Sequence, residues 1–274
     1  MIKKFTVCLA LGVLLLGACK KDDQPELTPV ATTEKDTVSE NSLMLETTAA
    51  SHLLVRLEED AKNYSILTYT NGLITKIDTK EAGQLSTVNF AYDAKKVLKS
   101  ALTKEGGMKF TYTGTLLTRV DFVSNPGSKV IGTLKYTYKN NKATEAIQYF
   151  KLGNTDIPAI KLAYTFTGND VTTLKTYGYS MQTGKYTLTE TTQTTYDTKK
   201  SPITGNLQLS QAFFQAFSAH NPVKEVVTNS KGKVTQTNTY TYTYDSAGYP
   251  TLQTKKTVEP GAPTVTTKTK FTYK

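Results

Sequence analysis

The chain has 274 residues, enough for one large β domain or two small ones. With 17 Tyr, 10 Phe, no Trp and abundant Thr, the composition suits half-buried pleated surfaces and leans towards strand. The formal charge is +10, or +8 once Lys3 and Lys4 leave with a signal peptide. Its lysines are spread over many segments, and only Arg56 and Arg119 offer the guanidinium fork that suits phosphate, so a solvated basic face is expected and nucleic-acid binding is not.

Lys3 and Lys4 precede a short apolar run from Phe5 to Leu16. That run is well below the roughly 20 residues a membrane-spanning helix needs, so residues 1–18 read as a signal peptide cleaved after Ala18. The segment Leu16-Gly17-Ala18-Cys19 resembles a bacterial lipobox. Small residues fit a narrow peptidase cleft, and the Cys19 thiol is the atom that would receive the lipid. Cys8 is discarded with the signal, so the mature body has no cysteine for a disulfide or thiol chemistry. Next, Lys21-Asp22-Asp23 resembles the export signal of Bacteroidota surface lipoproteins, which implies an outer-membrane location facing the medium. Residues 19–50 are rich in Thr, Ser, Glu and Pro and read as a lipidated, disordered tether.

Residues 51–274 read as one β-meander domain. Leu53 to Glu58 is expected as a strand, with a helix over Ser51–Asp60 as the rival reading. Tyr64 to Thr70 runs into Asn71-Gly72, the strongest two-residue hairpin signal. The pattern then recurs, each unit closing on an aromatic before a turn: Tyr69, Tyr92, Tyr112, Tyr138, Phe166, Tyr196, Tyr244 and Tyr273. The widening intervals predict strands that lengthen towards the C-terminus. The longest interval holds an insertion, where Leu209, Phe213, Ala216 and Phe217 fall on one face of a helix expected near 207–219. Gly106-Gly107 reads as a turn.

From Val234 to Tyr244 even positions carry Tyr240, Tyr242 and Tyr244 while odd ones carry Thr, and neither face is a continuous apolar band. The fold class is therefore all-β: an antiparallel up-and-down meander of about 16 strands, curled into an open or closed barrel wide enough for a water-filled interior. The barrel body is expected to be soluble rather than membrane-spanning.

Asn221-Pro222-Val223-Lys224 followed by Tyr242-Thr243-Tyr244-Asp245-Ser246-Ala247-Gly248-Tyr249-Pro250 carries a resemblance to a family of Bacteroidota surface lipoproteins of unknown function with a porin-like β fold. The Tyr-Asp units resemble loose YD repeats, although Asp directly follows the aromatic only at Asp93, Asp197 and Asp245. The resemblance implies a barrel-like meander and no particular activity.

Sites of chemistry are sparse. His52 and His220 are the only histidines, each beside the end of an expected element, and read as solvated. No Gly-rich phosphate loop, nucleophile elbow or calcium loop is present in the sequence. Glu145, Asp156 and Glu190 are the candidates for a glycosidase carboxylate pair, and all three also read as ordinary strand or turn residues. No cofactor or metal is expected. The tyrosines can pack across strands or stack on sugars. The expected role is a surface-anchored, non-enzymatic binding or structural lipoprotein, with the membrane, a polysaccharide or a surface protein as partner. A carboxylate-based glycan-active enzyme and a barrel carrier of a small apolar ligand are the alternatives.

Overall fold

The computed structural model of the protein describes residues 52–124, 129–203 and 218–274. The expected tether and signal, with Ala18, Cys19, Lys21, Asp22 and Asp23, lie outside the described residues. So does the expected inserted helix, except Ser218 and Ala219, which are not helical and lead into the next strand.

Sixteen strands follow one another: β1 (Leu54–Asp60), β2 (Asn63–Thr70), β3 (Leu73–Glu81), β4 (Gln84–Tyr92), β5 (Leu98–Leu102), β6 (Gly106–Thr113), β7 (Leu116–Ser124), β8 (Lys129–Lys139), β9 (Lys142–Leu152), β10 (Thr155–Thr167), β11 (Asp170–Ser180), β12 (Lys185–Lys200), β13 (His220–Asn229), β14 (Val234–Tyr244), β15 (Pro250–Val258) and β16 (Val265–Tyr273). Each pairs antiparallel with its sequence neighbours, and β1 pairs with β16, so the sheet is a closed barrel. Leu57 faces Phe271 across the seam, and Leu53 and Lys274 exchange backbone hydrogen bonds just outside it. Closure leaves no edge strand to template aggregation. The helical alternative at 51–60 is not adopted, because β1 has a partner on each side. Strand length rises to 16 residues at β12 and then falls to 9 at β15 and β16, so the expected lengthening stops at the insertion.

At one end, here the tyrosine end, the same device recurs. In β2, β4, β8, β12, β14 and β16 a tyrosine near the strand's end donates its hydroxyl to a carbonyl near the start of the preceding strand. The pairs are Tyr69–Leu54, Tyr92–Ile74, Tyr138–Leu117, Tyr196–Val171, Tyr242–Pro222 and Tyr273–Pro250, at 2.8–2.9 Å. Each bond locks the open end of one hairpin. The Asp that follows the tyrosine closes the next loop: Asp93 Oδ1 accepts from the backbone of Lys95 and Val97, and Asp245 Oδ1 from Ala247 and Tyr249. The Val97 N–H bond heads the causes that hold the Asp93 carboxyl below its usual range. At Tyr92-Asp93 the lock is followed directly by the loop cap, whereas in β14 the lock is Tyr242 and the cap, Asp245, follows Tyr244, whose hydroxyl donates to Asp197.

Just past each turn at this end the register slips by one residue, and in five hairpins the extra residue is a threonine, with Lys99 in β4–β5 and Val223 in β12–β13. Thr75, Thr118, Thr144, Thr172 and Thr251 each donate to the carbonyl of Thr68, Thr111, Thr137, Thr165 or Thr243 across the hairpin, at 3.2–3.4 Å. Such bulges bend the strand and sharpen its twist. Repeated around the sheet at one level, they curl the meander until its edges meet.

Inward residues of β1–β9 and β16 form a packed apolar core that includes Leu67, Ile74, Ile77, Leu98, Phe110, Val120 and Phe271. The interior near the tyrosine end is therefore filled by side chains, not by the water expected from strand number alone. Around β13–β15 the inward face is polar and self-satisfied. Glu225 accepts from Asn238 and Tyr240, Thr257 bonds Asn238, and Gln253 donates to Tyr242.

Candidate functional site

Strand parity sorts the tyrosines into two sets. The inward set includes the locking residues together with Tyr112, Tyr136, Tyr164, Tyr240 and Tyr244, and burial pushes most of these phenols upward, Tyr138 to about 12. Tyr64, Tyr149, Tyr177, Tyr179 and Tyr186 face outward. Their partners show it: Tyr177 lies opposite Lys161, while the neighbouring Leu162 and Thr176 pair on the core side. Tyr179 lies opposite Tyr186 because a bulge at Thr189 flips the parity of β12 below it.

Four of the five outward tyrosines sit beneath cations. The Lys135 amine is 4.6 Å from the Tyr149 ring centre, and Lys161 is 4.8 Å from that of Tyr177 and 5.3 Å from that of Tyr186. Arg56 lies 4.4 Å over Tyr64. Tyr179 meets Tyr186 edge-on at 5.1 Å. Burial, then Tyr149 and Glu145, push the Tyr186 phenol up to about 12. Contacts of this kind hold the aromatic faces in place and keep them partly dry.

The candidate carboxylates separate. Glu145 and Asp156 face outward and are ion-paired, Glu145 with Lys161 at 3.5 Å and Asp156 with Lys151 at 2.8 Å and Lys135 at 3.4 Å. The Lys151 contact holds Asp156 below the usual carboxylate range. Glu190 faces inward, opposite Thr176, where burial raises its carboxyl. Residues on opposite faces of one sheet cannot flank a single glycosidic bond, so Glu190 pairs with neither of the others. The place where carboxylates do act on one another is the far rim, where Glu59 is raised first by burial and then by Asp60 and Glu81, with Lys255 opposing.

Both histidines have partners, contrary to the solvated reading. His52 Nε2 is 3.2 Å from Asp245 and its ring stacks on Tyr249 at 4.9 Å. His220 Nδ1 is 2.7 Å from Asp170 Oδ2, and Asp170 Oδ1 also accepts from the backbone of Ala219 and His220. Ser218 lies nearby, but its hydroxyl donates to Tyr196 and accepts from Val171 N–H, so it is held as a brace, not as a nucleophile for His220. Buried Asn221 adds a bond to the Lys200 carbonyl at 2.9 Å. The Asn-Pro motif thus clamps the start of β13 to the end of β12.

The exterior has a distinctive chemistry. Mid-strand outward positions carry Arg56, Lys76, Asp78, Lys109, Arg119, Asp121, Lys135 and Lys161, joined by the threonines of β14. Among the described residues the exposed large apolar side chains are Leu85, Ile131, Phe150, Leu152, Met181, Val234, Val258, Val265 and Ile66, and all but Ile66 lie towards the far rim. A lipid-facing barrel wears its apolar residues as a belt about 25 Å tall around the middle. Here the middle is charged.

These features define a class: a closed sixteen-strand antiparallel barrel built from locked hairpins, with an apolar core packed inside β1–β9 and β16 and a charged, tyrosine-bearing exterior. Solved structures share the fold. A porin-like protein from Bacteroides uniformis ATCC 8492 matches with a TM-score of 0.53 at 12% identity, over 81% of this chain and 96% of that one. A porin-like protein from Bacteroides vulgatus ATCC 8482 matches with a TM-score of 0.52 at 11% identity, over 81% and 99%. At such identities the likeness is one of fold. No family model and no curated protein matches the sequence.

Proposed function

We propose that this chain is a lipoprotein displayed on the outer membrane, non-enzymatic, whose barrel body stands in the medium and holds an extracellular polymer on its outer face. The charged mid-barrel exterior carries this reading. Lys, Arg, Asp and Glu at the middle of the wall would each be costly against lipid, by about 2–4 kcal/mol for a midplane Lys or Arg. A barrel that does not insert needs another attachment, and Cys19 supplies it: cleavage after Ala18 frees the cysteine for lipid, and Lys21, Asp22 and Asp23 direct the product outward.

The test is lipid labelling and protease shaving of intact cells expressing the full chain. Wild type is expected to take up an alkyne-palmitate label and to be digested by added protease. Cys19→Ala is expected to lose the label and leave the membrane fraction without detergent, and Asp22→Ala/Asp23→Ala to keep the label but escape the protease. A Cys19→Ala protein that still needs detergent for extraction would instead show a membrane-spanning barrel.

The glycan-active enzyme reading keeps one observation in its favour, the raised Glu59 beside Asp60 and Glu81. Shortening of a bound polymer that stops in Glu59→Gln would decide for it.

A further inference from the structure

The register aligns three cations in a single row across the outer wall. Reading from β6 to β11, direct cross-strand partners are Thr111, Arg119, Lys135, Ile147, Lys161 and Tyr177. Arg119 lies directly opposite Lys135, and Lys135 and Lys161 flank Ile147 from either side. Like charges placed directly opposite weaken a sheet. Carboxylates along the edges offset part of this cost: Asp121 holds Arg119 at 2.8 Å, Asp156 holds Lys135 and Glu145 holds Lys161. An excess of positive charge remains, because Lys109, Lys151 and Lys175 face the same way and Asp121, Glu145 and Asp156 are the acids among them.

Tyr149, Tyr177 and Tyr186 border this row, each ring within reach of a row lysine. Lys135 and Lys161 stand two strands apart, which is about 9–10 Å along the row. That is close to the length of one disaccharide in an extended polysaccharide. A polymer lying across the strands would therefore present an acidic group on alternate sugars to successive amines, with sugar rings over the tyrosine faces between them. The lysine amine is a point charge that accepts carboxylate or sulfate from many directions, and a single guanidinium in the row argues against a phosphate backbone as the ligand.

We propose that the outer wall formed by β7–β12 binds an anionic polysaccharide, its carboxylates or sulfates on Arg119, Lys135 and Lys161 and its sugar rings on Tyr149, Tyr177 and Tyr186. This rests on the reading that the barrel wall faces the medium.

The test measures binding of the purified full chain to immobilised polygalacturonate and chondroitin sulfate, with dextran as the neutral polymer and single-stranded DNA as the phosphate polymer. Saturable binding to the acidic polysaccharides is expected, weakening steeply as salt rises from low to physiological strength. Lys135→Gln/Lys161→Gln is expected to weaken it about tenfold or more, equivalent to about 1.4 kcal/mol. Tyr149→Ala/Tyr186→Ala is expected to weaken it several-fold with an unchanged melting temperature. Lys256→Gln/Lys268→Gln, exposed on the outer wall of β15 and β16, removes the same charge elsewhere and is expected to change little. Equal losses in the two lysine pairs would reduce the effect to net charge and overturn the site. Tighter binding of DNA, or no binding to either acidic polymer at low salt, overturns it as well. Binding of dextran alone would overturn the acidic specificity while leaving a polymer-binding surface protein, and the cell-shaving result decides separately whether the wall is displayed.

Discussion

On raising the pH the protein is expected to hold its fold to about pH 9 and to unfold cooperatively between about pH 10 and 11.5. Burial is the first cause that raises the phenols of Tyr92, Tyr112, Tyr136, Tyr138, Tyr164, Tyr196, Tyr242 and Tyr273. In the unfolded chain these groups ionise near pH 10, whereas in the barrel burial disfavours the charged form, and Tyr92, Tyr138, Tyr196, Tyr242 and Tyr273 must also stay neutral to donate to their carbonyls. Their folded values lie above the unfolded ones, so their contribution is complete below pH 10 and is lost as pH rises towards the folded values. Tyr136 and Tyr164, packed against the core, should each surrender on the order of 1 kcal/mol by pH 11. Smaller losses from the phenols nearer solvent add to this, and a typical domain has only several kcal/mol of stability to lose. Tyr136→Phe and Tyr164→Phe should move the midpoint upward. The check is to follow tyrosinate absorbance and far-ultraviolet dichroism in one titration: the buried fraction should appear together with loss of β signal. Full tyrosinate absorbance with the β signal intact would refute the buried ladder.

Gly107→Ala is expected to cost at least about 3 kcal/mol or to prevent folding. The pair Gly106-Gly107, which reads as a turn in the sequence, instead opens β6 and is buried. A methyl on Gly107 would lie 2.2 Å from the Ala101 carbonyl oxygen and 2.8 Å from Leu102 Cα, and one on Gly106 would lie 2.1 Å from the Val123 oxygen. These neighbours are backbone atoms of β5 and β7, so no rotamer change gives relief, and whole strands would have to move. β5 is the shortest strand, at 5 residues, and has the least pairing to spare. The comparison is Gly114→Ala, where φ is +58° and the space is open, with an expected cost of about 1 kcal/mol. Urea midpoints of the two variants measure the difference, and a Gly107→Ala protein as stable as Gly114→Ala would contradict the packing described.

Local rules carried the architecture far. Period-two alternation and turn residues such as Asn71-Gly72 predict the strands and their antiparallel order, because each depends on neighbours in the chain. Closure was not legible, since the pairing of Leu57 with Phe271 joins opposite ends of the domain. A signal for it was nonetheless present: the threonine after five of the turns, at Thr75, Thr118, Thr144, Thr172 and Thr251, marks bulges that curl the sheet. The histidines were misread because their partners, Asp245 and Asp170, are remote in sequence. Tyrosine roles stayed ambiguous for a related reason. A single bulge at Thr189 decides which way Tyr186 faces, and the outer wall assembles Arg119, Lys135, Lys161 and Tyr186 from separate strands, none unusual alone.

The division of the tyrosines into an inward lock and an outward binding face is tested most directly by nitration of the native full chain, mapped by peptide mass spectrometry with and without polygalacturonate. Tyr149, Tyr177 and Tyr186 are expected to react in the free protein and to be protected by the polymer, while Tyr92, Tyr138 and Tyr242 stay unreacted in both. Equal reaction of the two sets, or polymer protection confined to the inward set, would contradict the account.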